Sequence, residues 1–141
     1  MKKNKISKNW INKQRRDIFV RRSKVEGYRS RAVYKLQEID QKFKIFKNGM
    51  SVIDLGAAPG SWSQYTSKNI KSGKIASIDL LDFEKIENIH QIKGDFTNDI
   101  YKNKIIDYFG AKVDVVLSDM AVNTTGNKNL DSIYTGELCM E

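Results

Sequence analysis

Apolar residues recur at three- and four-residue spacing through Ser30–Phe43: Ala32, Val33, Leu36, Ile39 and Phe43. That period predicts an amphipathic helix with these side chains toward a core. Lys35 falls between them and projects toward another side of the helix. After the Asn48-Gly49 turn the pattern shortens. Ser51–Leu55, a β-branched apolar run, predicts a first strand. Ser61–Lys71 predicts the next helix, ended by Gly73. Ile75–Leu81 predicts a second strand whose carboxyl end is marked by Asp79, and after a short connection at Ile86–Ile89 a third runs over Ile89–Lys93 to Gly94-Asp95. Asp99–Phe109 predicts a helix with Ile105, Ile106 and Phe109 inward, closed by Gly110. Val113–Ser118 predicts a fourth strand, ending at Asp119. Upstream, Trp10–Ser23 has weak helical character that Gly27 breaks; downstream, 121–129 reads as a polar loop and Leu130–Glu141 as another helix start. Strands alternating with helices predict an α/β fold with a doubly wound parallel sheet.

The junction Val52–Trp62, VIDLGAAPGSW, is strand, tight small-residue turn, then helix start. Gly56 and Gly60 bracket two alanines and the chain's single proline, Pro59. Glycines at such a turn let a nucleotide-like ligand approach backbone, because no Cβ stands in the way. The spacing is neither the dinucleotide pattern GxGxxG nor a phosphate loop ending in GK[ST]. A ligand without a pyrophosphate fits, and S-adenosylmethionine (SAM) is the leading one. In doubly wound sheets, ligands bind at the carboxyl ends of the strands. Asp79, Asp95 and Asp119 all stand there, on the rim that carries Gly56–Trp62. Each aspartate alone reads as a helix cap or turn residue; the three together read as a ligand rim.

Charge changes the picture at the N-terminus. Residues 1–35 hold 13 of the 25 Lys/Arg against two acids, Asp17 and Glu26, while the remainder is net acidic. Trp10, Phe19, Tyr28 and Tyr34 are interleaved with the basic residues. Residues 1–27 therefore read as a basic, RNA-binding arm that meets phosphates and stacks on bases, against the plainer reading of a solvated tail. No apolar run approaches the ~20 residues of a membrane span, and no secretory signal is visible. A single cysteine, Cys139, excludes an internal disulfide and a multi-cysteine zinc site, reads as a small buried apolar side chain, and suits a reducing cytoplasm.

Five segments together carry a resemblance: YRSRAVYKL (Tyr28–Leu36), DLGAAPGSWSQ (Asp54–Gln64), DLL (Asp79–Leu81), KGDF (Lys93–Phe96) and SDMAVN (Ser118–Asn123). From about Tyr28 to its end the chain resembles the FtsJ/RrmJ-type ribosomal RNA 2′-O-methyltransferases. The resemblance implies a class I SAM-dependent methyltransferase domain over residues 28–141, with a Rossmann-like sheet. It implies methylation of a uridine ribose in 23S rRNA of the large ribosomal subunit, in the cytoplasm, with no metal. Gly56, Gly60 and Trp62 would shape the SAM pocket, Asp79 would bind the SAM ribose hydroxyls, and Asp95 would meet the adenine amine. Lys35 and Asp119 would be the first lysine and the aspartate of the family's Lys-Asp-Lys-Glu tetrad, with Asp119 close to the methyl donor. Two positions depart from the pattern: Val122 stands for a proline and Ser61 for a second glycine. The family's domain continues past the point matched by Glu141, with three further strands, the second lysine and the glutamate. The resemblance thus implies a sheet incomplete after its fourth strand and a chain inactive alone. A non-catalytic RNA- or ribosome-binding fragment is the alternative.

Overall fold

The computed structural model describes residues 9–11, 13 and 17–120. Along the chain these form α1 (Ile18–Glu26), α2 (Val33–Phe43), β1 (Ser51–Leu55), α3 (Ser61–Asn69), β2 (Lys74–Asp79), β3 (His90–Lys93), α4 (Asp99–Phe109) and β4 (Val115–Ser118). The loop expected at 121–129, the helix at Leu130–Glu141, Val122, Asn123 and Cys139 lie outside the described residues, as does much of the basic arm.

The strands form one parallel sheet in the order β3-β2-β1-β4. The order reverses between β1 and β4, so the crevice at their carboxyl ends is the switch point where doubly wound sheets take ligands. Alternation along β1 splits the core. Val52 joins Val33, Leu36, Tyr65, Ile75 and Leu117 on the face covered by α2 and α3. Ile53 and Ala76 pack against Phe109 of α4 on the other. Burying a side chain such as Leu36, 1% exposed, contributes roughly 1.5–3 kcal/mol.

β1 and α4 span the residues that the pattern predicts. α4 is fixed at both ends, by the Asn98 carboxamide accepting from Ile100 N at 2.9 Å and by Gly110 at φ 66°. Other bounds are corrected. Helix is present at residues 9–11 and 13 as expected; a separate helix, α1, starts at Ile18, where Asp17 caps it by accepting from Phe19 N at 2.9 Å, and it runs on past Ser23 to Glu26. α2 starts at Val33, since Ser30 is drawn aside to the Ser61 hydroxyl at 2.8 Å. α3 stops at Asn69 because Ile70 turns extended and enters the core. Gly73 does not close that helix. It lies where any Cβ would strike the Met50 carbonyl. β2 runs from Lys74 to Asp79, leaving Leu80 and Leu81 exposed beyond the sheet; β3 starts at His90, and β4 at Val115.

Three residues expected in the core are exposed: Ile39, Phe43 and Ile106. On α2 the inward stripe is Val33, Leu36 and then Asp40. The Asp40 carboxylate accepts from the Tyr65 hydroxyl at 2.9 Å and from Phe46 N at 3.2 Å. A polar tie thus occupies the slot assigned to Ile39. On α4, Ile105 and Phe109 reach the sheet and Ile106 faces away.

Candidate active site

The turn after β1 is built backward over the end of β2. Gly56 adopts φ 68°, and its N–H and that of Ala57 both donate to the Ile78 carbonyl, at 2.8 and 3.1 Å. The next amide, Ala58 N, donates to Asp79 Oδ2 at 2.9 Å, while Asp79 Oδ1 accepts from Leu81 N at 2.8 Å. Asp79 therefore locks two turns together, and its remaining lone pairs are what a ligand could use. A Cβ on Gly56 would collide with the Met120 side chain, which lies over this glycine. Gly60 faces a different way: its open side meets Ile86, Phe83 and Arg29 rather than the crevice.

Trp62 projects from the first turn of α3 and donates its indole N–H to the Ala32 carbonyl at 2.8 Å. That bond pins the start of α2 beside the β1 turn. One turn into α2 stands Lys35. Its Nζ lies 3.1 Å from Asp119 Oδ1, so a helix and a strand end 84 residues apart in sequence meet at the crevice. Both side chains keep solvent access, at 67% and 37% exposure. Asp95 stands at the end of β3, two strands away from β1. Its carboxylate accepts from Thr97 Oγ1 at 2.7 Å and from Thr97 N at 2.9 Å, and these bonds hold it below the usual carboxylate range.

Asp54 is the residue that sequence reasoning left out of the site. It is 2% exposed and lines the same crevice as Gly56, Trp62 and Asp119. Burial pushes its carboxyl up to about 7; the Ser63 hydroxyl, donating at 2.7 Å, opposes this, and Asp79 and Asp119 add to it. The signal was present in VIDLG, where an acid stands at an inward position of an otherwise apolar central strand. The crevice itself encloses about 50 Å³ with Met120 seated over Gly56. That is room for a water or two rather than for a nucleoside.

The basic segment next to this site is partly structural. Arg29 donates from Nη1 to the Glu84 carbonyl at 2.6 Å and to Pro59 at 3.0 Å, and from Nη2 to Lys85 at 3.3 Å. Gln64 accepts from Arg29 N at 2.9 Å and donates to the Gly27 carbonyl at 3.1 Å. Arg29 thus straps the arm to the turn after β1 instead of reaching for phosphate. Among the described residues no group of three or more His, Cys, Asp or Glu is placed to hold a metal ion, and no helix is long and apolar enough to cross a membrane.

Comparison with known proteins places this geometry. The family model for FtsJ-like methyltransferases matches residues 28–141. The ribosomal RNA large subunit methyltransferase E of Pelagibacter ubique is 70% identical over the whole chain, which covers 70% of that protein. The protein of the same name from Hydrogenovibrio crunogenus is 44% identical, again over the whole chain and 71% of the relative. The Rickettsia akari protein is 48% identical over 94% of this chain, which spans 61% of its length. Among solved structures, a Plasmodium falciparum protein described as a ribosomal RNA methyltransferase superposes with a TM-score of 0.70 at 36% identity, over 79% of this chain and 66% of that one. The chain belongs to the FtsJ-like methyltransferase family.

Proposed function

We propose that this chain methylates the ribose 2′-hydroxyl of a uridine in 23S rRNA, in the large ribosomal subunit in the cytoplasm, with SAM as methyl donor. The observation that carries this reading is the Lys35–Asp119 contact at the mouth of the β1–β4 crevice. A 2′-hydroxyl is a poor nucleophile and must be oriented as it attacks. Asp119 fixes the Lys35 ammonium, and the ammonium faces the oxygen on which negative charge grows; as the oxygen–methyl bond forms and the methyl–sulfur bond breaks, the hydroxyl proton passes to the solvent that both side chains meet. SAM, when bound, supplies an electrophilic methyl on a sulfonium.

The donor set fits that cofactor. Asp54 and Asp119 offer carboxylates to a cationic ligand, and Asp79 has acceptor capacity left for ribose hydroxyls. Gly56 gives a Cβ-free seat that Met120 gives up when a ligand takes the crevice. Trp62 walls the pocket, Gly60 shapes the turn from behind, and Asp95 is the acceptor for the adenine amine through Oδ2, both Thr97 bonds falling on Oδ1.

A second reading is an RNA-binding module without transfer, favoured by the narrowness of the crevice as it stands. The deciding experiment adds radiolabelled SAM to unmethylated large subunits, with this chain and with a version extended by the remaining length of the Pelagibacter relative. Label on a uridine 2′-oxygen from this chain supports the proposal; label from the extended version alone assigns the reaction to the longer protein and overturns it for this chain by itself. Label from neither, with RNA still retained, replaces it with the second reading.

A further inference from the structure

Beside Lys35, a groove of about 560 Å³ opens between α1 and α2. It is separate from the crevice that holds Asp54 and Gly56, yet Lys35 lines it and reaches Asp119 from its end. Its volume falls within the roughly 300–1,000 Å³ of small-ligand sites. Its walls are preformed. The Tyr34 hydroxyl donates to Glu26 at 2.8 Å, the Arg22 guanidinium lies 4.5 Å over the Tyr34 ring, and the Phe19 ring sits 5.7 Å from it. These contacts clamp α1 to α2 before any ligand arrives.

Three kinds of group line this groove. Phe19 is an aromatic ring left 44% exposed. Gln37 and Gln41 stand one turn apart on the stripe that begins at Tyr34, and among the described residues neither carboxamide has a hydrogen-bond partner. Arg22 and Arg31 stand at the lip, paired with Glu26 and Asp17 in ion pairs whose arginines are 50% and 61% exposed. Exposed pairs of this kind hold weakly, so trading a carboxylate for a phosphate costs little. An exposed ring, unspent amides and exchangeable arginines match the face, the edge and the backbone of a single-stranded nucleotide.

We infer that the groove between α1 and α2 holds one unpaired nucleotide of the RNA, neighbouring the one whose ribose is presented to Lys35 and Asp119. Phe19 stacks on its base, Gln37 and Gln41 read the base edge, and Arg22 and Arg31 meet the flanking phosphates. This rests on the RNA reading above and adds a specificity site to it.

The test is binding of single-stranded RNAs of about six nucleotides to the full chain, by fluorescence anisotropy at one salt concentration, with an abasic ribose replacing each base in turn. One position is expected to weaken binding roughly 5- to 100-fold when its base is removed. Phe19→Ala should erase that dependence and Phe19→Trp should keep it. Gln37→Ala should change which base is preferred there. Phe19→Leu keeps apolar packing against Tyr34, so its fold, checked by circular dichroism, separates lost stacking from lost structure; it should behave as Phe19→Ala does. An abasic penalty that survives Phe19→Ala, or no penalty at any position, overturns the groove alone. So does displacement of the RNA by a glutamate peptide of equal charge at the same concentration. Failure of the unmodified chain to bind any RNA overturns the RNA reading, and the groove with it.

Discussion

Replacing Asp54 by asparagine should make the fold more stable, and only at neutral and alkaline pH. The carboxyl is buried on the central strand, and burial lifts it from 3.8 to about 7. Between those values the folded chain holds a proton that the unfolded chain has released. Stability is therefore highest below 3.8, falls as pH rises through the window, and levels off above about 7. At about 1.36 kcal/mol per pH unit the whole window is worth roughly 4 kcal/mol. Integrated between about pH 5 and about pH 8, the part lost is roughly 2–3 kcal/mol. Asp54→Asn has no proton to lose, and its amide oxygen can still accept from the Ser63 hydroxyl. The assay is urea unfolding of both proteins, followed by circular dichroism, at the two pH values. The stability of Asp54→Asn relative to the unmodified chain should rise by roughly 2–3 kcal/mol from the lower pH to the higher. Titrating groups that do not interact with Asp54 shift both proteins alike and cancel in that difference. A difference that stays constant to within about 0.5 kcal/mol would refute the reasoning, because the carboxyl would then release its proton at the same pH in the folded and unfolded chains and burial would not have raised it.

Lys35→Ala and Asp119→Ala should each lower methyl transfer by roughly 10²- to 10⁴-fold in the radiolabel assay, while the unfolding free energy from urea changes by less than about 0.5 kcal/mol, the pair being solvent-exposed. Trp62→Phe leaves the Ala32 carbonyl without its indole donor and should cost about 1–2 kcal/mol in the same unfolding measurement. Gly56→Ala puts a side chain at φ 68° and into Met120; a loss of more than about 1 kcal/mol, with weaker SAM binding by calorimetry, is expected. Ser77→Ala should be neutral or stabilising by up to about 1 kcal/mol, because the buried Ser77 hydroxyl has no partner among the described residues.

What the sequence discloses and what it conceals here divide along one physical line. Features set by neighbours within a turn or two could be read directly. The strand over Ser51–Leu55, the helix over Asp99–Phe109 and its stop at Gly110 depend on residues a few positions apart. Features set by distant partners could not. Nothing local marks Asp40 as an inward position, since its partner Tyr65 lies on another helix; apolar periodicity therefore put Ile39 there instead. Arg29 looks like one more cation of the basic stretch 1–35 until the carbonyls of Pro59, Glu84 and Lys85 are folded around it.

The candidate site lies mostly on the concealed side of that line. On spacing alone Lys35 is a solvated helix lysine, and only the motif resemblance set it beside Asp119, from which 84 residues separate it. Asp54 was the reverse case. Its position was plain, in the middle of an apolar strand, but its chemistry depends on Asp79, Asp119 and Ser63 closing over it. The same carboxyl joins fold and function. If burial keeps Asp54 half protonated near neutral pH, a cationic ligand in the crevice must draw it into its charged form. Ligand binding should then offset part of the stability that the buried charge costs. A protein that tolerates an acid on its central strand without a ligand has given up stability there, and the crevice beside Gly56 is where that stability can be regained.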